Sequence, residues 1–232
     1  WCSTSAYNLP DARQGHATVA YNGYLYVIGG TDGTGTRVNT IYVAKLGANG
    51  EPRLWHPTNT DQTTWTYWHT TTTLSSTRSM LGAVAYNNRL YIVGGLTGAG
   101  TGTAVSTVEY ADINPMGTIG SWTTGTALSG GNVMGHSLLT YNDRLYVIGG
   151  ATAFNGAGTT GVRYIKLDSS GATTGGWQTN TNSLITGRVS GGGQMGAIWG
   201  GYIYISGGCS TQDAQADCTG IETDTEVASI NA

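Results

Sequence analysis

The stretch Tyr24-Leu25-Tyr26-Val27-Ile28-Gly29-Gly30 decides the fold, because its pattern returns three times: Arg89-Leu-Tyr-Ile-Val-Gly-Gly95, Arg144-Leu-Tyr-Val-Ile-Gly-Gly150 and Tyr202-Ile-Tyr-Ile-Ser-Gly-Gly208. The steps are 65, 55 and 58 residues. Alternation puts Leu25 and Val27 on one face of an extended strand and Tyr26 and Ile28 on the other. Both faces are apolar, so both need cover, as happens when each small sheet is sandwiched between two neighbours.

A second apolar segment precedes each copy, at 16–21, 81–86, 136–141 and 194–199, and the two are joined by Asn22-Gly23, Asn87-Asn88, Asn142-Asp143 and Gly200-Gly201. These residue types accept positive φ at both centres of a type I′ turn, so each pair reads as a two-residue hairpin. Third strands are expected at 41–46, 108–113, 162–167 and 225–230. A Trp follows a matched position by 12 or 13 residues, from Val43 to Trp55, Tyr110 to Trp122 and Tyr164 to Trp177. In the first unit the repeat Trp is either Trp55 or Trp65. Four antiparallel strands per unit, set radially, make the blade of a propeller.

The diglycine, the spaced aromatic and the later Trp resemble the kelch repeat family over nearly the whole chain. The resemblance implies an all-β fold: a β-propeller of four-stranded antiparallel blades, with four kelch-like repeats in one domain, 1–232. The repeats run roughly 1–55, 65–122, 123–177 and 178–232. They depart from the family in exceeding about 50 residues, in having Val43 and Val227 where an aromatic is expected, and in lacking a fourth Trp. Trp1 precedes Gly29 by 28 residues, as Trp122 precedes Gly149 by 27. Its strand is therefore expected to be an outermost one that completes the last blade of a closed four-bladed ring. The alternative is four repeats of a longer parent chain.

Only 10% of residues are charged and the net charge is −3, which lacks the basic footprint of a nucleic-acid binder. No apolar run approaches the roughly 20 residues of a transmembrane helix. Cys209 and Cys218 flank a polar loop and read as a local disulfide, which leaves Cys2 odd and points to an extracellular or cell-surface location.

Antiparallel order puts the tight hairpins on one face of the propeller and the loops 31–37, 96–105, 151–161 and 209–224 on the other. Variable chemistry sits on such loops, so a glycan or protein ligand is expected there. Trp65, Tyr67, Trp68 and His69, read as part of an inter-blade linker, form an aromatic cluster able to stack on sugars or anchor a protein. His16 and His136 are equivalent, with counterparts Leu81 and Gln194, and could approach a metal near the axis, but no third ligand is evident. Arg13 and Arg78 are likewise equivalent, and either present donors to an anionic ligand or pair with blade carbonyls. Asp213 and Asp217 are candidates for Ca²⁺, yet the spacing lacks the EF-hand pattern. No cofactor is expected.

Copper oxidases similar to galactose oxidase need a Cys crosslinked to Tyr, and no Cys lies in the blades. Sialidase-type Ser-x-Asp turns, a Gly-x-Ser-x-Gly elbow and a phosphate loop are missing as well. The chain therefore reads as a non-catalytic binding or surface-assembly module that recognises glycan or protein. The alternatives are a propeller enzyme with an axial metal site, and a structural subunit that self-assembles.

Overall fold

All four hairpin turns take left-handed backbone at both centres: 47° and 78° at Asn22 and Gly23, 47° and 58° at Asn87 and Asn88, 46° and 52° at Asn142 and Asp143, 60° and 80° at Gly200 and Gly201. The turn chemistry thus sets the register of each blade's two inner strands. The computed structural model describes residues 5–56, 66–190, 195–213 and 217–230. The fold is all-β, with four antiparallel blades in a propeller arrangement.

Blade 1 orders Ala17–Tyr21, Tyr24–Ile28 and Ile41–Leu46 from the inside, and both Pro52–Arg53 and Trp68–Thr70 pair with the third strand. Blade 2 runs Gly82–Tyr86, Arg89–Val93, Val108–Asp112 and Thr123–Thr124, and blade 3 runs Ser137–Tyr141, Arg144–Ile148, Val162–Leu167 and Thr173–Thr179. Blade 4 has three strands among the described residues, Gly196–Trp199, Tyr202–Ser206 and Thr225–Ser229. The Trp1 strand lies outside the described residues.

Blades 2 and 3 each turn their two apolar faces to different neighbours. Tyr26, Ile28 and Val43 of blade 1 bury themselves against Leu90, Ile92 and Ala111 of blade 2. Tyr91 and Val93, on the other face of blade 2, pack on Leu145 and Val147 of blade 3. Tyr146 and Ile148 meet Ile203 and Ile205 of blade 4 in the same way.

Hydrogen bonds repeat along with the packing. The second glycine of each of the first three diglycines donates its amide to the next blade: Gly30 to the Arg78 carbonyl at 2.8 Å, Gly95 to Val133 at 2.8 Å, Gly150 to Arg188 at 2.6 Å. A ladder nearer the axis runs from Met80 N to Gly15 O, Gly135 N to Met80 O and Ser190 N to Gly135 O, at 2.7, 2.9 and 2.7 Å. Gly29, at φ +60°, comes so close to the Arg78 carbonyl that a side chain there would collide with it. That approach, with the left-handed backbone, explains why the strand ends in glycine.

The register corrects the identity of the first repeat Trp. Tyr110 pairs with Thr123, Tyr164 with Gln178 and Val43 with His69. The residue before each partner is Trp122, Trp177 and Trp68. Neither Trp55 nor Trp65 holds this place, because residues 54–67 come between Pro52–Arg53 and Trp68–Thr70, both of which pair with the third strand. Likewise, Trp68 and His69 do not lie in a linker: Trp68–Thr70 is an outer strand of blade 1.

Candidate functional site

The face opposite the tight turns is built from the loops that follow each diglycine. Four two-residue bridges start it, joining Gln14 to Thr31, Ser79 to Leu96, Met134 to Ala151 and Val189 to Cys209. In blades 2 to 4 the bridge side chains close over a small core of Leu96, Ala104, Met134, Ala151, Val189 and Cys209. Beyond the bridges, Leu96–Thr97 pairs with Thr103–Ala104, and Cys209–Gln212 pairs with Cys218–Ile221. The loops of blades 2 and 4 are therefore short hairpins seated on an apolar floor.

A disulfide and a buried hydrogen-bonding arginine hold them. Cys209 and Cys218 form a disulfide with their Cα atoms 5.5 Å apart. Arg37, in the blade 1 loop, is buried and donates Nε to Ser79 Oγ at 2.9 Å, Nη1 to the carbonyls of Gly98 and Gly100 at 2.8 and 3.0 Å, and Nη2 to Thr101 O at 3.1 Å. Burial pushes its pKa down. One arginine thus clamps the blade 2 hairpin to the blade 1 loop. Its position outside the repeated strands hid it from sequence comparison.

Two large apolar side chains project from this face. Ile221 ends the disulfide hairpin and is 72% exposed, and Ile185, in the linker from blade 3 to blade 4, is 90% exposed. The linker backbone is nonetheless fixed, since the Glu226 carboxylate accepts from Ile185 N at 2.7 Å and Thr186 N at 3.1 Å.

The aromatic cluster has a different environment. Trp65 lies outside the described residues. Trp68 is half-buried and donates Nε1 to the Tyr7 carbonyl at 3.1 Å, much as Trp177 donates Nε1 to Thr126 O at 2.9 Å. Tyr67 meets Tyr7 edge-on at 5.2 Å. His69 Nε2 lies 2.7 Å from the Trp55 carbonyl, which requires that nitrogen to carry the proton, and its ring meets the buried Trp55 edge-on at 4.8 Å.

His136 is enclosed between blades 2 and 3, next to Gly82, where a side chain would strike its Nε2. Neither ring nitrogen has a hydrogen-bond partner among the described residues. Burial, with a smaller contribution from the Arg163 charge, pushes its pKa down to about 3, so the ring is neutral. His16 is half-buried, and burial together with Arg13 lowers its pKa too. Among the described residues no three His, Cys, Asp or Glu side chains gather as a metal site would require. Gln194 lies outside them.

The arginines belong to the blades. Arg78 donates Nη1 to the Gly94 carbonyl at 3.3 Å and Nη2 to Glu109 Oε2 at 3.1 Å. Arg188, a counterpart that sequence comparison missed, donates Nη1 to Gly207 O at 2.8 Å and Nη2 to Glu226 Oε1 at 2.9 Å. Arg13 donates Nη2 to the Tyr42 hydroxyl at 3.2 Å and lies 5.0 Å over that ring. The acids of the fourth loop divide: Asp224 and Glu226 pair with Arg188, while Asp217 N donates to Asp213 Oδ1 at 3.0 Å across the hairpin tip.

Residues 1–158 match the family model for the KLHDC2/KLHL20/DRC7 Kelch-repeats domain. The chain is also 27% identical over 203 residues to spermatocyte protein spe-26 of Caenorhabditis elegans. That alignment covers 88% of this chain and 30% of the relative, so the chain spans about a third of that protein's length. Four blades of this pattern, together with the family match over more than half the sequence, establish that the chain belongs to the kelch-repeat family.

Proposed function

We propose that this chain is an extracellular or cell-surface module that recognises a protein through its long-loop face, around Ile185 and Ile221. Kelch domains mediate protein binding. The observation that carries the reading is the pair of isoleucines, 90% and 72% exposed, held by the Glu226 carboxylate and by the disulfide hairpin. Apolar side chains on fixed backbone lose little entropy on association, so they are efficient anchors. A polypeptide is favoured over a glycan because Trp68 and His69 are engaged within blade 1. The disulfide supports an oxidising compartment.

A photo-crosslinking residue at position 221, with one at Asn142 on the tight-turn face as control, tests the surface. Protein adducts in cells are expected from position 221 and not from 142. Adducts from 142 alone would overturn the reading. Alkylation of protein from its native host, before and after reduction, tests the compartment: free Cys209 and Cys218 thiols before reduction would reject it.

A further inference from the structure

Four arginines are buried among the described residues: Arg37, Arg78, Arg163 and Arg188. Arg78 faces Glu109 at 3.1 Å and Arg188 faces Glu226 at 2.9 Å. Arg37 faces no acid, but each of its three nitrogens donates to blade 2. Arg163 alone has neither arrangement. It is 9% exposed, and its Nη1 donates to the carbonyls of Ser129 and Gly131 at 3.0 and 3.5 Å. Its Nε and Nη2 have no partner among the described residues, yet neither is sealed from solvent. Burial lowers its pKa, and no carboxylate opposes that shift.

The repeat identifies what blade 3 lacks. Arg163 pairs with Val147 in the place where Glu109 pairs with Ile92 and Glu226 with Ile205. Val133 holds the place of Arg78 and Arg188, since its carbonyl accepts from Gly95 as theirs accept from Gly30 and Gly150. Blade 3 has therefore lost the acid, and its cation sits where the acid should be. The linker that enters the blade is reversed accordingly. In blades 2 and 4 the acid accepts from linker donors, Ser75 Oγ and Ile185 N, whereas in blade 3 linker carbonyls face the guanidinium. Residues 129–132 of that linker are exposed, Gly130 and Gly131 take left-handed φ of 82° and 107°, and a side-chain carbon on Gly130 would lie 3.5 Å from Arg163 Nη1.

We infer that Arg163 is a binding site for a small carboxylate, which supplies to blade 3 the acid that blades 2 and 4 take from their own third strands. Nε and Nη2 form the side-on edge of the guanidinium, and two parallel N–H groups on that edge match the two oxygens of one carboxylate. A single anionic charge neutralises the arginine, and low-dielectric surroundings strengthen the attraction. A buried charge without a counter-charge is costly, so the blade gains from the pairing. The site uses none of the side chains proposed above as protein anchors, so either reading can fail without the other.

Titration of the full chain with sodium acetate, against sodium chloride at matched ionic strength and neutral pH, tests this. The Arg163 Nε–H resonance of isotope-labelled protein is expected to shift saturably with acetate and not with chloride. Thermal unfolding should rise with acetate in the same range, as binding to the folded state alone requires. Acetate also stabilises folded proteins by exclusion from their surfaces, so the quantity read is the excess over a variant. Val133→Arg with Arg163→Glu installs the blade 2 pair and should fold without that excess; Arg163→Gln should lose it too. An Arg163 resonance that acetate leaves in place would overturn the inference, whatever the variants do. So would an equal rise in unfolding temperature in wild type and in the Val133→Arg, Arg163→Glu variant.

Discussion

Arg78 and Glu109 form a buried ion pair at 3.1 Å, and Arg188 and Glu226 reproduce it two blades later at 2.9 Å. In both blades the arginine also donates to a diglycine carbonyl. The guanidinium therefore ties the approach to the innermost strand to the third strand of its own blade. Removing one partner of such a pair leaves a buried charge alone, so Arg78→Met should cost about 3–5 kcal/mol. Urea unfolding measures this. Arg188→Met should cost less, because Asp224 beside it is exposed.

Glycine at 29 and glycine at 23 differ in surroundings, although both have positive φ. Nothing lies near Gly23, so Gly23→Ala should cost only the left-handed penalty, about 1–2 kcal/mol. Gly29→Ala adds overpacking against the Arg78 carbonyl, for a total of about 2–5 kcal/mol. Equal losses by denaturant titration would show that the blades are not held at this approach.

Protonation of His136 should destabilise the fold. Its folded pKa is about 3 against an ordinary 6.5, so between those values the unfolded chain binds the proton and the folded chain does not. The stability it confers is present above pH 6.5 and falls as pH drops toward 3, by at most about 1.4 kcal/mol per pH unit. His16, lowered in the same direction, adds to the slope. His136→Leu, which installs the residue found at the equivalent Leu81, should flatten the profile measured by thermal unfolding.

Trp68 should behave as a blade residue. Trp177→Ala, at a buried site, is expected to cost about 3–5 kcal/mol. Trp68→Ala is expected to cost less, since Trp68 is half-buried, while leaving partner capture at Ile221 unchanged at temperatures where both proteins are folded. Loss of capture without loss of stability would assign Trp68 to the binding surface instead.

The repeated elements were legible in the sequence because each rests on a local rule. Paired residues tolerant of positive φ marked the hairpins, and two apolar faces on one strand marked a blade between blades. Counting failed where insertions broke the period. Residues 54–67 delay the part of the outer strand that carries the Trp in blade 1, so a spacing of 12 pointed to Trp55 when the register belongs to Trp68. Extra residues between Arg188 and the strand Gly196–Trp199 likewise hid the kinship of Arg188 with Arg78. Arg37 left no signal, because its partners are carbonyls on another blade. The exposure of Ile185 and Ile221 was equally hidden, since an isoleucine reads as core until its neighbours are known.

Amide hydrogen exchange at the four diglycines is the most direct measurement of how the blades are joined. Gly30, Gly95 and Gly150 each donate to the following blade and should be strongly protected. Gly208 N has no acceptor among the described residues and should exchange faster than these three. Amides of Gly30, Gly95 and Gly150 that all exchange freely in the folded protein would mean that these contacts do not join the blades.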